Sequence, residues 1–314
     1  MWRLLVVPLL LLLTAANEPA KPYLTLAQLR AQYADADSRY ATIGGMEVHY
    51  KDEGPRRAGT PVLLLVHGSQ CTLKSWDAVV PLLKRRYRLI RFDVPGLGLS
   101  GDVPDSALST VRPEDVAEEL LCRLNIPKVT VIGFSSGGTL ATFLAAKRPD
   151  LIERVVVSNA PSDPVVTTHL VPTAGWTAAQ AEAKATGFQG RGYWDAFLDY
   201  FSPGNRIDES TRRHFYAFSR RTPHKNYISM IARVADAPKA RAAMAAVRAP
   251  TLLIWGSNDP LLPASAGRTL RDYFSGTDAA IVYMPGVGHF PPFEEPDRFA
   301  RIALAWIEAA TPKY

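Results

Sequence analysis

Runs of uninterrupted apolar residues alternate along this chain with segments whose apolar positions recur at helical spacing. The apolar runs predict strands over Pro61–Val66, Tyr87–Phe92, Lys128–Gly133, Arg154–Ser158, Pro250–Trp255 and Ala279–Met284. Continuous rather than alternating hydrophobicity implies burial on both faces, as in a parallel sheet. Helical spacing falls over Ser75–Lys84, Glu114–Leu124 (Glu118 and Glu119 outward), Gly137–Lys147, Ala264–Tyr273 and Pro296–Ala309. Strands alternating with helices predict an α/β fold, a mostly parallel central sheet covered by helices on both faces. Before the alternation, Gly44-Gly45 sits between two strand-like runs in Tyr40–Asp52, the pattern of a hairpin. Pro19–Asp37 is mixed and alanine-rich, with room for one short helix.

The alternation breaks once, between residues 160 and 246, in an irregular helical stretch rich in aromatics and divided by Pro164, Pro172, Pro203, Pro223 and Pro238. An interruption of that length predicts an inserted helical cap over 160–246, on a core formed by 40–159 and 247–314, with 17–39 as an N-terminal segment. The total of 314 residues suits a core domain carrying such a lid. At the start, Met1-Trp2-Arg3, the apolar run Leu4–Leu13 and Thr14-Ala15-Ala16 have the layout of a signal peptide over 1–16. That run falls short of the about 20 apolar residues of a membrane span. The expectation is therefore export, to periplasm or medium, with an uncleaved signal anchor as the alternative and the only expected membrane contact.

Composition refines this picture at two points. The net charge of +6 is uneven: from Ser202 to Arg248 ten Lys/Arg face three acids, Asp208, Glu209 and Asp236. Such a segment is either a solvated helical face or an attractor of anionic substrates or anionic membrane. Nothing else points to nucleic acid; the expected partner is a small-molecule substrate. The two cysteines, Cys71 and Cys122, fall in a loop at the top of the sheet and near the lower end of a helix, too far apart to bridge, so two free thiols are expected.

Chemistry concentrates at strand ends. Gly133-Phe134-Ser135-Ser136-Gly137 follows an apolar strand and opens a helix, which forces a sharp turn and leaves Ser135 exposed above the sheet. A serine hydroxyl is a poor nucleophile without a base and an acid that orients the base. Of the six histidines, His289, in the glycine-flanked loop after the last strand, is the best base. Asp259 follows the strand before it, so chain order is Ser, Asp, His. Asp163, also after a strand, is the alternative acid, while Asp93 leads into Pro95–Ser100 and reads as part of a structural turn. Donors to an oxyanion are expected from the backbone N–H of Ser136 and of Ser69, or of Gln70 in place of Ser69. His67, at a strand end, shapes that loop rather than catalysing. Trp194 and Phe197 in the inserted stretch are the candidate substrate-binding residues, although aromatics at helical spacing also form cap core.

With His67-Gly68, Asp93–Ser100, the Ser135 elbow, Asp259 and Gly288-His289 in order, the chain from about residue 40 onward resembles a capped α/β-hydrolase, of the bacterial esterase, perhydrolase and ring-cleavage-product hydrolase group. The resemblance implies a Ser135–Asp259–His289 triad, the Ser69 and Ser136 amides as oxyanion donors, and no metal or organic cofactor. Epoxide hydrolases and haloalkane dehalogenases of similar shape use an aspartate nucleophile, so a serine at 135 argues against both. The expected activity is hydrolysis of a small to medium hydrophobic carboxylic ester. Carbon–carbon cleavage of an acidic diketone, lactone hydrolysis, perhydrolysis and a non-enzymatic binding role are the alternatives.

Overall fold

In the computed structural model, which describes residues 22–162 and 168–309, the apolar runs pair into one eight-stranded sheet. Its strands are β1 (Arg39–Ile43), β2 (Met46–Glu53), β3 (Val62–Val66), β4 (Arg88–Phe92), β5 (Val129–Phe134), β6 (Ile152–Ser158), β7 (Thr251–Gly256) and β8 (Ala279–Met284). They lie in the order β1-β2-β4-β3-β5-β6-β7-β8. β1 with β2 and β2 with β4 are antiparallel, and the other neighbours are parallel. The leader predicted at 1–16, and Asp163, lie outside the described residues.

Side chains alternate between the two faces of the sheet and feed two apolar layers. Leu64 and Val66 of β3 join Val129, Val131, Leu140 and Leu144 in one cluster, while Leu63 and Leu65 join Ile132, Phe134, Trp76 and Phe299 in the other. In β5 and β7 every position is buried, which is why those runs carry no polar alternation. At the hairpin, Gly44 and Gly45 have φ of 54° and 76°, the two positive values that a tight turn between right-twisted strands requires.

Topology places the site. β3 and β5 are neighbours in space but β4 comes between them in sequence. The chain leaves β3 toward one edge and leaves β5 toward the other, opening a crevice at their C-terminal ends. His67-Gly68 and Ser135 stand at those two ends. So close is the approach that a Cβ on Gly137 would run into the Val66 and His67 carbonyl oxygens.

Four expectations change. Ser75–Lys84 is not one helix: a 3₁₀ turn at Leu73–Trp76 precedes a short helix at Val80–Leu83, where Pro81 sits in the first turn and can only begin a helix. The stretch drawn as cap up to 246 does not all belong above the sheet. Met230, Ile231, Val234, Ala240, Ala243 and Met244 join the same apolar cluster as the helix Ser136–Lys147, so Ala237–Ala246 is the helix that crosses from β6 to β7. The N-terminal segment holds the short helix expected of it, but that helix is built into the fold rather than merely preceding it. Its helix Leu26–Tyr33 is closed by a capping box, with Gln28 N–H to Thr25 Oγ1 (3.2 Å) and Thr25 N–H to Gln28 Oε1 (2.9 Å). Leu29 of that helix is buried between Leu99 and Phe218, and the Leu24 N–H donates to the Arg220 carbonyl (2.7 Å) while Leu24 accepts from the Thr222 N–H (2.8 Å).

The basic stretch is the fourth. Its cations are spent on the chain's own acids and carbonyls: Arg221 on Gly96, Gly98, Ser100 and Asp102, Lys225 on Asp105, Arg233 on Leu108 and Val111, Arg212 on Asp199, and Arg206 on Gly286 and Glu295. Apart from Arg212–Asp199, which lies within the inserted segment, these bonds fasten that segment to the rest of the chain. Both thiols are free; Cys71 is buried, and burial pushes it up to about 12, which keeps it a thiol. No helix among the described residues is long and apolar enough to cross a membrane.

Candidate active site

Ser135 lies between β5 and the helix Ser136–Lys147 with φ 51° and ψ −134°, outside the regions open to L-residues at low energy. Its own N–H donates to the Ser158 carbonyl on β6 (2.9 Å), and its carbonyl accepts from the Gly138 N–H (2.8 Å). The turn is possible because neither Gly133 nor Gly137 has room for a side chain: a Cβ on Gly133 would meet the Gly137 carbonyl, and one on Gly137 the carbonyls of Val66 and His67. Backbone pinned on both sides of a disfavoured conformation holds the hydroxyl in one place.

Three side chains meet there. Ser135 Oγ–H donates to His289 Nε2 at 3.3 Å, and His289 Nδ1–H donates to Asp259 Oδ2 at 2.7 Å. Asp259 is buried, and its Oδ1 accepts the N–H groups of Leu261 (2.8 Å) and Leu262 (3.0 Å). A carboxylate with no proton to give sets the ring's tautomer, leaving Nε2 free to accept from the serine. Such a line of groups can remove a proton from Ser135 as it attacks an electrophilic carbon and return it to a leaving group.

Two further residues brace this arrangement, and neither was expected. Asn159, directly after β6, has φ 41°, a left-handed conformation that asparagine tolerates better than most residues. Its Nδ2–H donates to Asp259 Oδ2 (2.7 Å) and its Oδ1 accepts the Gly256 N–H (3.0 Å). Glu294, buried in the short helix Pro291–Glu294, accepts from the N–H groups on both sides of His289, those of Gly288 (2.9 Å) and Phe290 (3.1 Å). Burial raises the Glu294 carboxyl above its ordinary value, against the lowering effect of those amides and of Arg206. The N–H of His289 itself donates to the Phe201 carbonyl (2.8 Å), so three successive amides of the loop are held. For Glu294, the only signal in the sequence is an acid five residues beyond a glycine-flanked histidine. For Asn159 there is no signal beyond its place at a strand end.

Ser69 and Ser136, whose amides are the expected oxyanion donors, touch through their side chains, with the two hydroxyls 2.8 Å apart. Ser136 opens its helix and so has no intrahelical acceptor for its N–H. Gln70, the alternative donor, has φ 62° and accepts from Tyr227 Oη–H at Oε1 (2.6 Å). His67 is excluded as a base by geometry. The Val94 N–H donates to its Nε2 (3.0 Å), so Nδ1 carries the proton and donates to the Gly68 carbonyl (2.8 Å). Complete burial depresses its pKa, outweighing the nearby Asp93 charge, and keeps the ring neutral.

Asp93 is a hub of structure. Its carboxylate accepts from Leu73 N–H (2.7 Å), Leu99 N–H (2.8 Å) and His49 Nδ1–H (2.8 Å). Burial works to raise that carboxyl, but the hydrogen bonds from His49 and from the Leu73 amide outweigh it and hold it below its ordinary value. Trp194 is buried and Phe197 half-buried. Phe197 packs on Phe201 (4.8 Å between centroids) and Phe290 (6.3 Å), the residues beside His289 in space and in sequence.

The profile of the alpha/beta hydrolase family matches residues 63–302, a span that holds Ser135, Asp259 and His289. A 2-hydroxy-6-oxononadienedioate/2-hydroxy-6-oxononatrienedioate hydrolase of Escherichia coli is 25% identical over 269 residues, 83% of this chain and 91% of that protein. Among solved structures, a hydrolase of Pseudomonas aeruginosa is 28% identical, with a TM-score of 0.67 over 87% of this chain and 99% of that one. An enol-lactonase of Burkholderia xenovorans, at 22% identity, has the same fold, with a TM-score of 0.68 over 86% of this chain and all of that one.

Proposed function

The chain belongs to the alpha/beta hydrolase family, and on that premise we propose that it is a serine hydrolase of small to medium hydrophobic carboxylic esters, working through an acyl-enzyme on Ser135. The observation that carries this reading is the unbroken line of hydrogen bonds from Ser135 through His289 to Asp259. His289 takes the Ser135 proton as the hydroxyl attacks the carbonyl carbon. The oxyanion that forms is received by the Ser69 and Ser136 amides, a contribution worth roughly 3–4 kcal/mol per donor in the transition state. His289 then gives the proton to the leaving alkoxide, and Asp259 remains ionised beside the imidazolium. Water, deprotonated by the same histidine, releases the acid. A lactone is a cyclic ester and would follow the same route.

Carbon–carbon cleavage is the second reading, and the Escherichia coli relative's name is what favours it. The basic cap gives it less support than its charge suggests, because most of those cations are paired within the chain. We further propose export, on the sequence of the first 16 residues alone.

A fluorophosphonate probe followed by peptide mapping tests the nucleophile: labelling of the Ser135 peptide, abolished in Ser135→Ala, is expected. Labelling elsewhere would overturn the assignment. Turnover of p-nitrophenyl butyrate against bleaching of a coloured dienol diketone separates the two substrate readings.

A further inference from the structure

The loop that carries Ser69 is a tight turn in a conformation that its residues do not favour. The Cys71 N–H donates to the Gly68 carbonyl across it (3.3 Å), Ser69 has a negative φ, and Gln70 has a φ of 62°. A negative φ followed by a positive one makes a type II turn, whose third residue is ordinarily glycine or asparagine. A glutamine there is strained, and such strain persists only where the surroundings hold it. Relaxing Gln70 to a negative φ would rotate the Ser69–Gln70 peptide by about 180°, the difference between a type II and a type I turn. The Ser69 carbonyl oxygen would then stand on the face where the Gln70 N–H now lies.

The turn belongs to the site. Gly68 abuts Ser135 so tightly that a Cβ there would lie 2.8 Å from the serine Cβ, and the Ser69 hydroxyl is bonded to that of Ser136. Neither the Ser69 nor the Gln70 N–H has an acceptor among the described residues, so both amides are free to receive an oxyanion. Exchanging an N–H for an oxygen in that turn would set a repelling dipole where the developing negative charge needs donors.

One bond holds Gln70. Its side chain borders cavities of about 250 and 570 Å³, so packing leaves it room to move. Among the described residues its only side-chain hydrogen bond is the one that Tyr227 Oη–H donates to Oε1 (2.6 Å). Tyr227, in the inserted segment, is itself firmly placed. A Cβ on Gly96 would lie 2.5 Å from its carbonyl oxygen, and Asn226 before it donates to the Val103 carbonyl (2.8 Å) and to Asp105 (2.9 Å). Burial pushes the Tyr227 phenol up to about 12, so it keeps the proton that makes the bond.

We propose that Tyr227 is a positioning residue: through Gln70 it holds the oxyanion turn in its left-handed form, so that the inserted segment governs kcat from outside the triad. The proposal rests on the serine hydrolase reading for the step it affects, but the strain in the turn is measurable without turnover.

The test compares full-length Tyr227→Phe, Gln70→Gly, Gln70→Ala and the double variant Tyr227→Phe/Gln70→Gly, by kcat and KM for p-nitrophenyl butyrate and by thermal unfolding. Tyr227→Phe should lower kcat about three- to ten-fold at unchanged KM, the worth of one hydrogen bond. In the Gln70→Gly background the same change should cost less than about two-fold, because glycine takes a positive φ unaided. Gln70→Gly and Gln70→Ala both lose the side-chain amide, but alanine alone is strained at this φ. The glycine variant should therefore melt higher and turn over at least about three-fold faster. The proposal is overturned if Tyr227→Phe keeps the wild-type kcat, if it slows the Gln70→Gly protein as much as the wild type, or if the glycine and alanine variants share one kcat. Should Tyr227→Phe not fold, the glycine–alanine comparison decides alone. Failure of the fluorophosphonate to label Ser135, with the glycine variant still melting above the alanine one, would overturn the serine hydrolase reading and leave the strain at Gln70 standing.

Discussion

Replacing Asn159 by glycine should lower turnover while leaving substrate affinity almost alone. Asp259 Oδ2 is shared: it accepts from His289 Nδ1–H at 2.7 Å and from Asn159 Nδ2–H at 2.7 Å. Removing the amide takes one charge-assisted bond from the carboxylate that orients the base, worth about 1.5–3 kcal/mol. The Leu261 and Leu262 amides still hold the other oxygen, so only part of that appears in the barrier. Half of it corresponds to a loss in kcat of roughly four- to twelve-fold. Glycine is the right replacement because φ is 41° at this position, where alanine would add strain of its own. The Gly256 N–H loses its acceptor in the same variant, which should cost about 1–3 kcal/mol of stability.

The assay is kcat and KM for p-nitrophenyl butyrate, with thermal unfolding alongside. A glycine variant that loses stability but keeps wild-type kcat would refute the reasoning. Asn159 would then brace the Gly256 turn and contribute nothing to the orientation of His289.

Ser135→Gly should be inactive yet more stable than Ser135→Ala by about 1–3 kcal/mol, because glycine relieves the backbone strain; equal melting temperatures would contradict that strain. Glu294→Ala strands the Gly288 and Phe290 amides at about 1–3 kcal/mol each, and should lower both the melting temperature and kcat, whereas a variant changed only in stability would remove Glu294 from the positioning of His289. Asp93→Asn turns one of the two acceptor oxygens toward His49, Leu73 and Leu99 into an N–H donor and should cost about 1–3 kcal/mol at neutral pH. The folded Asp93 pKa lies below its unfolded value, so this contribution is present above about pH 4 and is lost as pH falls through the folded value. Urea unfolding of both proteins from pH 7 to pH 3 should find the gap closing on acidification, and a constant gap would exclude the linkage. Gly137→Ala should abolish soluble expression, since its methyl group meets two backbone carbonyls that cannot yield.

What could be read without coordinates was what the local sequence determines. The continuous apolar run of β5 announces a strand buried on both faces, and a serine flanked by glycines between such a strand and a helix announces the sharp turn. Asp259 and His289 could be named because parallel strands deliver the loops that follow them to one edge of the sheet. Asn159 could not, since its role depends on a left-handed backbone and on a partner 100 positions away. The helix expected at Ser75–Lys84 failed on Pro81, whose effect was present in the sequence and outweighed there by periodicity.

The basic stretch misleads for a different reason, and its correction has a functional consequence. Charge counted along a chain says nothing of partners distant in sequence: Arg221 ends against residues 96 to 102. The turn after β4 that receives it is held from every side. Asp93 takes the Leu99 N–H, Arg30 of the N-terminal helix takes the Leu99 carbonyl (2.7 Å), and Arg221 takes the carbonyls of Gly96, Gly98 and Ser100. Core, N-terminal segment and inserted segment therefore meet at this one turn. Arg221→Leu leaves Ser135, His289 and Asp259 untouched but strands three carbonyls of the turn and frees Asp102, which should lower stability by about 1–3 kcal/mol. Thermal unfolding with and without Arg30→Leu checks it: two effects that simply add would mean that the N-terminal and inserted segments are not coupled through the turn.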